Sequence, residues 1–148
     1  MIERMDNVGI VVDDLEAAVE FFVELGLELE GEGPIEGPFA DACCGLEGVR
    51  CDVAMVRTPD GHSRLELCRF NSPAAVGEKN APVNTRGIFK IMFAVDDIAA
   101  AVAKVRARGH ELVGEMAQYE DIYRLCYVRG PEGIIVALAQ KLDPTEEA

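Results

Sequence analysis

The chain has 148 residues, 49% of them apolar and 28% charged, with a formal net charge of −13. That length predicts one compact unit or two small halves sharing a core, and the apolar fraction is enough to fill it. The acid excess argues against nucleic acid as a partner, because phosphates demand clustered Lys and Arg, and no apolar run approaches the length of a membrane span. The charge is also uneven: residues 1–70 carry 16 acids and 5 bases, whereas residues 71–148 carry 11 acids and 9 bases. Such an acidic half favours cationic over anionic ligands at long range, or serves only to keep the surface soluble. The first residues, Met-Ile-Glu-Arg-Met-Asp, lack the basic-then-apolar layout of a secretion signal, so a cytoplasmic protein is expected. Five cysteines at 43, 44, 51, 68 and 126 show no zinc-ribbon spacing and read as small hydrophobes in a reducing compartment.

Residues 7–32 recur at 90–115, shifted by 83 positions, with eleven of twenty-six aligned positions identical. Val12-Asp13-Asp14 returns as Val95-Asp96-Asp97, Ala17-Ala18-Val19 as Ala100-Ala101-Val102, and Gly26 as Gly109. A period this long, used twice, marks a duplicated half-domain rather than a solenoid.

In the first copy, residues 6–12 predict a strand with Val8, Ile10 and Val12 on its buried face. Asp13 and Asp14 are N-cap candidates, and Glu16 is spaced to close a capping box with Asp13. Leu15, Ala18, Val19, Phe22 and Leu25 then form a helical stripe that ends at Gly26. Residues 27–32 predict a short strand. The Gly- and Pro-rich residues 33–48 predict an irregular segment with one helical turn at 39–44. Two strands, 49–58 and 63–70, are joined by the turn Pro59-Asp60-Gly61-His62.

Residues 71–86 have no period and predict a linker, leaving 1–70 and 87–142 as two modules. In the second, 87–95 predicts a strand and 97–108 a helix with Ile98, Ala101, Val102 and Val105 inward. Gly109 is its stop. Strands are expected at 111–118, 123–129 and 134–140, the last two joined by Gly130-Pro131-Glu132-Gly133. Residues 143–148 predict an acidic, frayed tail. The fold class is therefore α+β, two tandem βαβββ modules.

Four stretches carry a resemblance: Asn7-Val-Gly-Ile-Val-Val-Asp-Asp-Leu, Arg64-Leu-Glu-Leu, Gly87-Ile-Phe-Lys-Ile-Met-Phe-Ala-Val-Asp-Asp-Ile and Gly130-Pro-Glu-Gly-Ile-Ile-Val-Ala-Leu. Over roughly residues 5–140 the chain resembles the vicinal oxygen chelate superfamily, which includes glyoxalase I, extradiol dioxygenases and bleomycin-resistance proteins. The resemblance implies paired half-barrels around a cleft, commonly completed between chains, and hence a homodimer. It also implies four metal-ligand positions, commonly two His and two Glu. Those positions fall here on Asn7, Glu66, Lys90 and Ala137. One is kept, and an ammonium at Lys90 would repel a divalent cation, so neither metal nor other cofactor is expected. His62 and His110 lie elsewhere.

If those four positions point into the cleft, strand parity adds Gly9, Val11, Arg64, Cys68, Met92, Ile135 and Ala139. Pairing across the hairpins adds Val53, Met55 and Arg57, then Arg124, Cys126 and Val128; a one-residue slip would present Tyr123 and Tyr127 instead. Glu66 and Lys90 are expected to pair. Either Lys90 merely neutralises Glu66, or Glu66 is a proton-transfer base tuned by Lys90. Tyr119, Glu120, Asp121 and Tyr123 form a polar-aromatic loop that either contacts a ligand or is polar simply because it is a loop.

Three functions follow. The first is a metal-free protein that binds or sequesters a drug or metabolite, cationic or aromatic, as in the bleomycin-resistance type; the absence of Trp and the low aromatic content weigh against stacking. The second is a metal-independent isomerase, epimerase or lyase using Glu66, and the third is a metal enzyme with atypical ligands. The ligand-binding set is Asn7, Met55, Arg64, Glu66, Cys68, Lys90, Met92, Tyr123, Arg124 and Ala137, and whether there is turnover stays open.

Overall fold

A computed structural model describes residues 1–142; the tail expected at 143–148 lies outside them. The described residues form two four-stranded mixed sheets and three α-helices, an α+β architecture in which a βαβββ module is used twice. Two compact units divide the chain, Met1–Gly77 and the residues from Glu78 onward.

In the first unit β1 (Val8–Val11), α1 (Leu15–Glu24), β2 (Glu28–Glu36), α2 (Pro38–Cys44), β3 (Arg50–Arg57) and β4 (Arg64–Ser72) follow in order. The sheet order is β1-β4-β3-β2, with β1 parallel to β4 and the other pairs antiparallel. The stripe of α1 packs on this sheet: Leu15, Ala18, Phe21 and Phe22 are buried, as are Ala54, Val56, Leu65 and Leu67 from the strands beneath. Phe21 joins the stripe, and its ring meets that of Phe22 edge to face at 5.1 Å. Gly26 follows the helix with φ of 116°, a conformation that a β-carbon disfavours.

Asp14, not Asp13, caps α1, accepting from the Ala17 N–H at 3.0 Å. The expected capping box does not form: with Asp14 as the cap its third helical position falls on Ala17, and Glu16 instead meets Arg69 at 3.1 Å. Arg69 also holds Asp52 at 2.8 Å, and Asn71 donates to the same carboxylate at 2.9 Å. Together the Asn71 amide and then Arg69 hold the Asp52 carboxyl below its ordinary range. This bridge carries β4 on to Ser72, two residues past the expected end.

The strand expected at 27–32 is longer, and the segment at 33–48 is more regular than its composition suggests. β2 runs through Gly33 and Pro34 to Glu36, pairing Pro34 with Asp52 and Glu36 with Arg50. It is an edge strand, so a proline that offers no N–H costs no ladder bond on its open side. α2 then starts at Pro38, a residue suited to the first helical turn. Its Asp41 carboxylate accepts from the Gly48 and Val49 N–H groups at 3.0 and 2.8 Å, which ties the following loop to the helix.

In the second unit β5 (Ile91–Ala94), α3 (Ile98–Ala107), β6 (Ala117–Tyr119), β7 (Tyr123–Arg129) and β8 (Ile135–Lys141) form a sheet of order β5-β8-β7-β6. Asp97 caps α3 through the Ala100 N–H at 3.0 Å, and the Gln140 side chain accepts from the Ile98 N–H at 2.9 Å. Ile98, Val102 and Val105 are buried on the sheet side, as are Cys126, Val128, Val136 and Leu138. β5 covers only the middle of the expected 87–95, leaving Gly87 to Lys90 outside the sheet. The strand expected at 111–118 is broken: Leu112 and Val113 bridge to β7, the chain departs at Gly114, and regular pairing resumes at Ala117.

The turn between β7 and β8 is tightly built. Glu132 and Gly133 both have positive φ, and the Asn80 N–H donates to the Glu132 carbonyl at 3.3 Å. Arg129 holds the Gly133 carbonyl at 3.0 Å. Lys79 stands 3.8 Å from the Glu132 carboxylate. Residues from the expected linker are thus packed on this turn.

Candidate functional site

Each sheet has a face covered by its helix and a face turned away from it. In the first unit, pairing fixes the far face row by row. Gly9, Glu66, Met55 and Gly31 form one row; Val11, Cys68, Val53 and Gly33 form the next. At one end the face is charged, with Arg64 held by Glu30 at 2.6 Å and Arg57 by Glu28 at 3.0 Å. At the other it is apolar: Ala40 of α2, Val49 and Cys51 are buried together, with Val53, Cys68 and Phe70 packed on them. Met55, Arg64, Glu66 and Cys68 therefore share one face, as strand parity predicts. Asn7 is exposed and precedes β1 instead of lying in it.

Glu66 sits between these two ends, half-buried, beside a glycine that leaves open space. No hydrogen bond or ion pair reaches its carboxylate among the described residues, although both arginines of that face have partners of their own. An ionised carboxylate with free lone pairs can accept from a ligand cation or donor, or take up a proton. The neighbouring Cys68 thiol is pushed up to about 12, first by burial and then by the Cys51 thiol and the Glu66 charge. It is therefore a neutral, apolar wall and not a nucleophile at ordinary pH.

In the second unit the expected face assignment on β7 is reversed. Arg124, Cys126 and Val128 lie on the helix side: Cys126 and Val128 are buried there, and Arg124 donates to Gln118 at 3.1 Å. Tyr123, Leu125 and Tyr127 occupy the far face, opposite Lys141, Ala139 and Ala137. Arg124 is thus removed from the candidate site, and the one-residue alternative with Tyr123 and Tyr127 is the register found. Both sides of β7 read as amphipathic, because tyrosine pairs an apolar ring with a polar tip and cysteine acts as a small hydrophobe. Periodicity therefore did not separate them.

That far face gathers all three tyrosines of the chain, since Tyr119 pairs with Tyr123 across the β6–β7 hairpin, rings 5.7 Å apart. Met92 lies opposite Ala137, the first half-exposed and the second fully buried. Lys90 is held by aromatic groups. Its ammonium lies 3.4 Å from the Tyr127 hydroxyl, 4.4 Å from the Phe89 ring centre and 5.2 Å from that of Tyr127. Phe89 and Tyr127 meet edge to face at 5.4 Å. Phe89 was missed from sequence because alternation along an assumed strand turns it away from Lys90; with the chain outside the sheet at 87–90, that alternation does not apply.

The four positions that hold metal in the resembling enzymes do not fit a metal here. Ala137 has no donor atom and is buried, Lys90 brings a cation packed on two rings, and Glu66 is the one anionic ligand. Among the described residues no group of three His, Cys, Asp or Glu side chains is placed to hold a metal ion. His62 lies in the β3–β4 turn, and the His110 ring bonds the Arg129 carbonyl at 3.0 Å. No helix among the described residues is long and apolar enough to cross a membrane.

Two repeated modules of this topology, with these motifs on their strands, define a class. The chain belongs to the glyoxalase/bleomycin resistance protein/dioxygenase superfamily, whose family model matches residues 4–138. It is 49% identical to a glyoxalase family protein from Bacillus cereus of known crystal structure, with 97% of each chain covered and a TM-score of 0.94. It is 26% identical over 144 residues to the uncharacterized protein YwbC of Bacillus subtilis (strain 168), covering 95% of this chain and all of that one. The fold also matches TnmS3, an antibiotic binding protein from Streptomyces sp. CB03234, at 21% identity and a TM-score of 0.58, over 95% and 97% of the two chains.

Proposed function

We propose that this protein binds or sequesters a small molecule, a drug or metabolite, without a metal. The observation that carries this is the carboxylate of Glu66: it alone keeps a metal-ligand residue type, and among the described residues it has no partner, with Met55, Val53 and Cys68 as its apolar neighbours on that face. Such a mostly apolar surface with one placed charge suits a ligand that is aromatic, cationic, or both. The likeness in fold to an antibiotic binding protein agrees with this. The protein acts in the cytoplasm as a homodimer, since Val11, Ile35 and Phe39 leave apolar area exposed in the first unit that a second copy would cover.

The second reading, a metal-independent isomerase, epimerase or lyase, draws on the same group, because a carboxylate free of partners can also take a proton from a bound ligand. Benzamidine, a small aromatic cation, separates them. Binding to the wild type should weaken about tenfold or more in Glu66→Gln, the loss expected for one charge-assisted contact. Each compound that shifts the melting temperature in a metabolite screen is then incubated with the wild type and assayed for product. Recovery of every ligand unchanged supports sequestration; a product that forms with wild type and vanishes with Glu66→Gln overturns it.

A further inference from the structure

We infer that Lys90 and Tyr127 form a two-donor anchor for an acidic oxygen, a carboxylate, phenolate or enolate, carried by a planar ligand. This rests on the small-molecule binding reading and adds to the aromatic or cationic group proposed for Glu66 an anionic group taken up on the face of the second unit. An ammonium has three donors, and Lys90 spends one on the Tyr127 oxygen at 3.4 Å. Because that oxygen accepts from Lys90, the phenol proton remains free to be given elsewhere. Lys90 keeps two N–H donors and Tyr127 its O–H, so two neighbouring donor atoms are left for one acceptor.

The charge balance points the same way. No carboxylate among the described residues pairs with Lys90; the ring faces of Phe89 and Tyr127 hold its ammonium instead. Ring faces attract a cation without neutralising it, so the positive charge remains available to an anion. The acid excess of the chain lies almost wholly in residues 1–70, while residues 71–148 are close to balanced. An anionic group is repelled least on this module. Around the anchor, Met92 and Tyr123 are exposed on the same face. They offer a thioether and a ring to a flat apolar body, which stacks or meets a sulfur edge-on. The fully buried Ala137, between Tyr127 and Met92 in the sheet, keeps a side chain from rising between them.

The probe is naphthoate set against its neutral carboxamide, two molecules of nearly one shape that differ in charge. Titrations followed by NMR should show the wild type preferring the carboxylate by about tenfold or more, as for a charge-assisted pair of donors. Lys90→Met and Tyr127→Phe should each remove most of that preference, weakening the carboxylate several-fold more than the carboxamide. Tyr127→Phe keeps the ring and so keeps the packing, which guards against a loss that is only misfolding. Equal affinity for the two probes, a preference that survives both substitutions, or no naphthoate binding at millimolar concentration would each overturn the anchor. If benzamidine still binds in a Glu66-dependent way in that last case, the binding function stands and the anchor alone falls.

Discussion

Gly133→Ala should destabilise the second unit by on the order of 3 kcal/mol, through overpacking added to a strained left-handed backbone. Gly133 holds φ at 87°, and a β-carbon there would run into the backbone N and Cα of Asn80. Neither neighbour can retreat. Asn80 is itself in a left-handed conformation and donates to Glu132, while Arg129 clamps the Gly133 carbonyl. Gly114→Ala is the control, with negative φ and empty space around the added carbon; it should change stability by no more than about 0.5 kcal/mol. Urea unfolding followed by circular dichroism measures both. Equal midpoints for the two variants would mean that the packing of Asn80 on the turn is not maintained in solution.

Phe22→Ala should cost the first unit about 3–5 kcal/mol, the range for truncating a buried aromatic side chain. Phe22 is fully buried in α1, which packs on β2, β3 and β4, the last of which carries Glu66. Its loss removes apolar contact, including the edge-to-face contact with Phe21, and leaves a cavity in the core. Val23→Ala, one residue on and substantially exposed, should be close to neutral by the same measurement. A Phe22→Ala effect below about 1 kcal/mol would show that α1 does not pack on the sheet in this way.

The repeat made most of the fold legible. Val-Asp-Asp before an apolar stripe, with glycine after it, places α1 and α3 in both copies, and the Pro-Asp-Gly turn places the β3–β4 hairpin. What the sequence could not show was competition from distant residues. Asp13 and Glu16 have capping-box spacing, but Asp14 is the cap and Glu16 meets Arg69, 53 positions away. Gly33 and Pro34 look like loop residues until β2 is known to be an edge strand. At the site, parity placed Met55, Glu66 and Cys68 together because β3 and β4 bury one clear set, Ala54, Val56, Leu65 and Leu67. On β7 both sets are amphipathic, so Arg124 was misplaced and the aromatic cradle around Lys90 went unseen.

Metal-free binding is tested most directly by a native mass spectrum of protein purified without a chelator. The expected species is a dimer whose mass leaves no room for a stoichiometric divalent ion, with any additional mass that of an organic ligand. About one zinc, nickel, manganese or iron per chain would contradict the account, because Asn7, Lys90 and Ala137 offer such an ion no set of ligands.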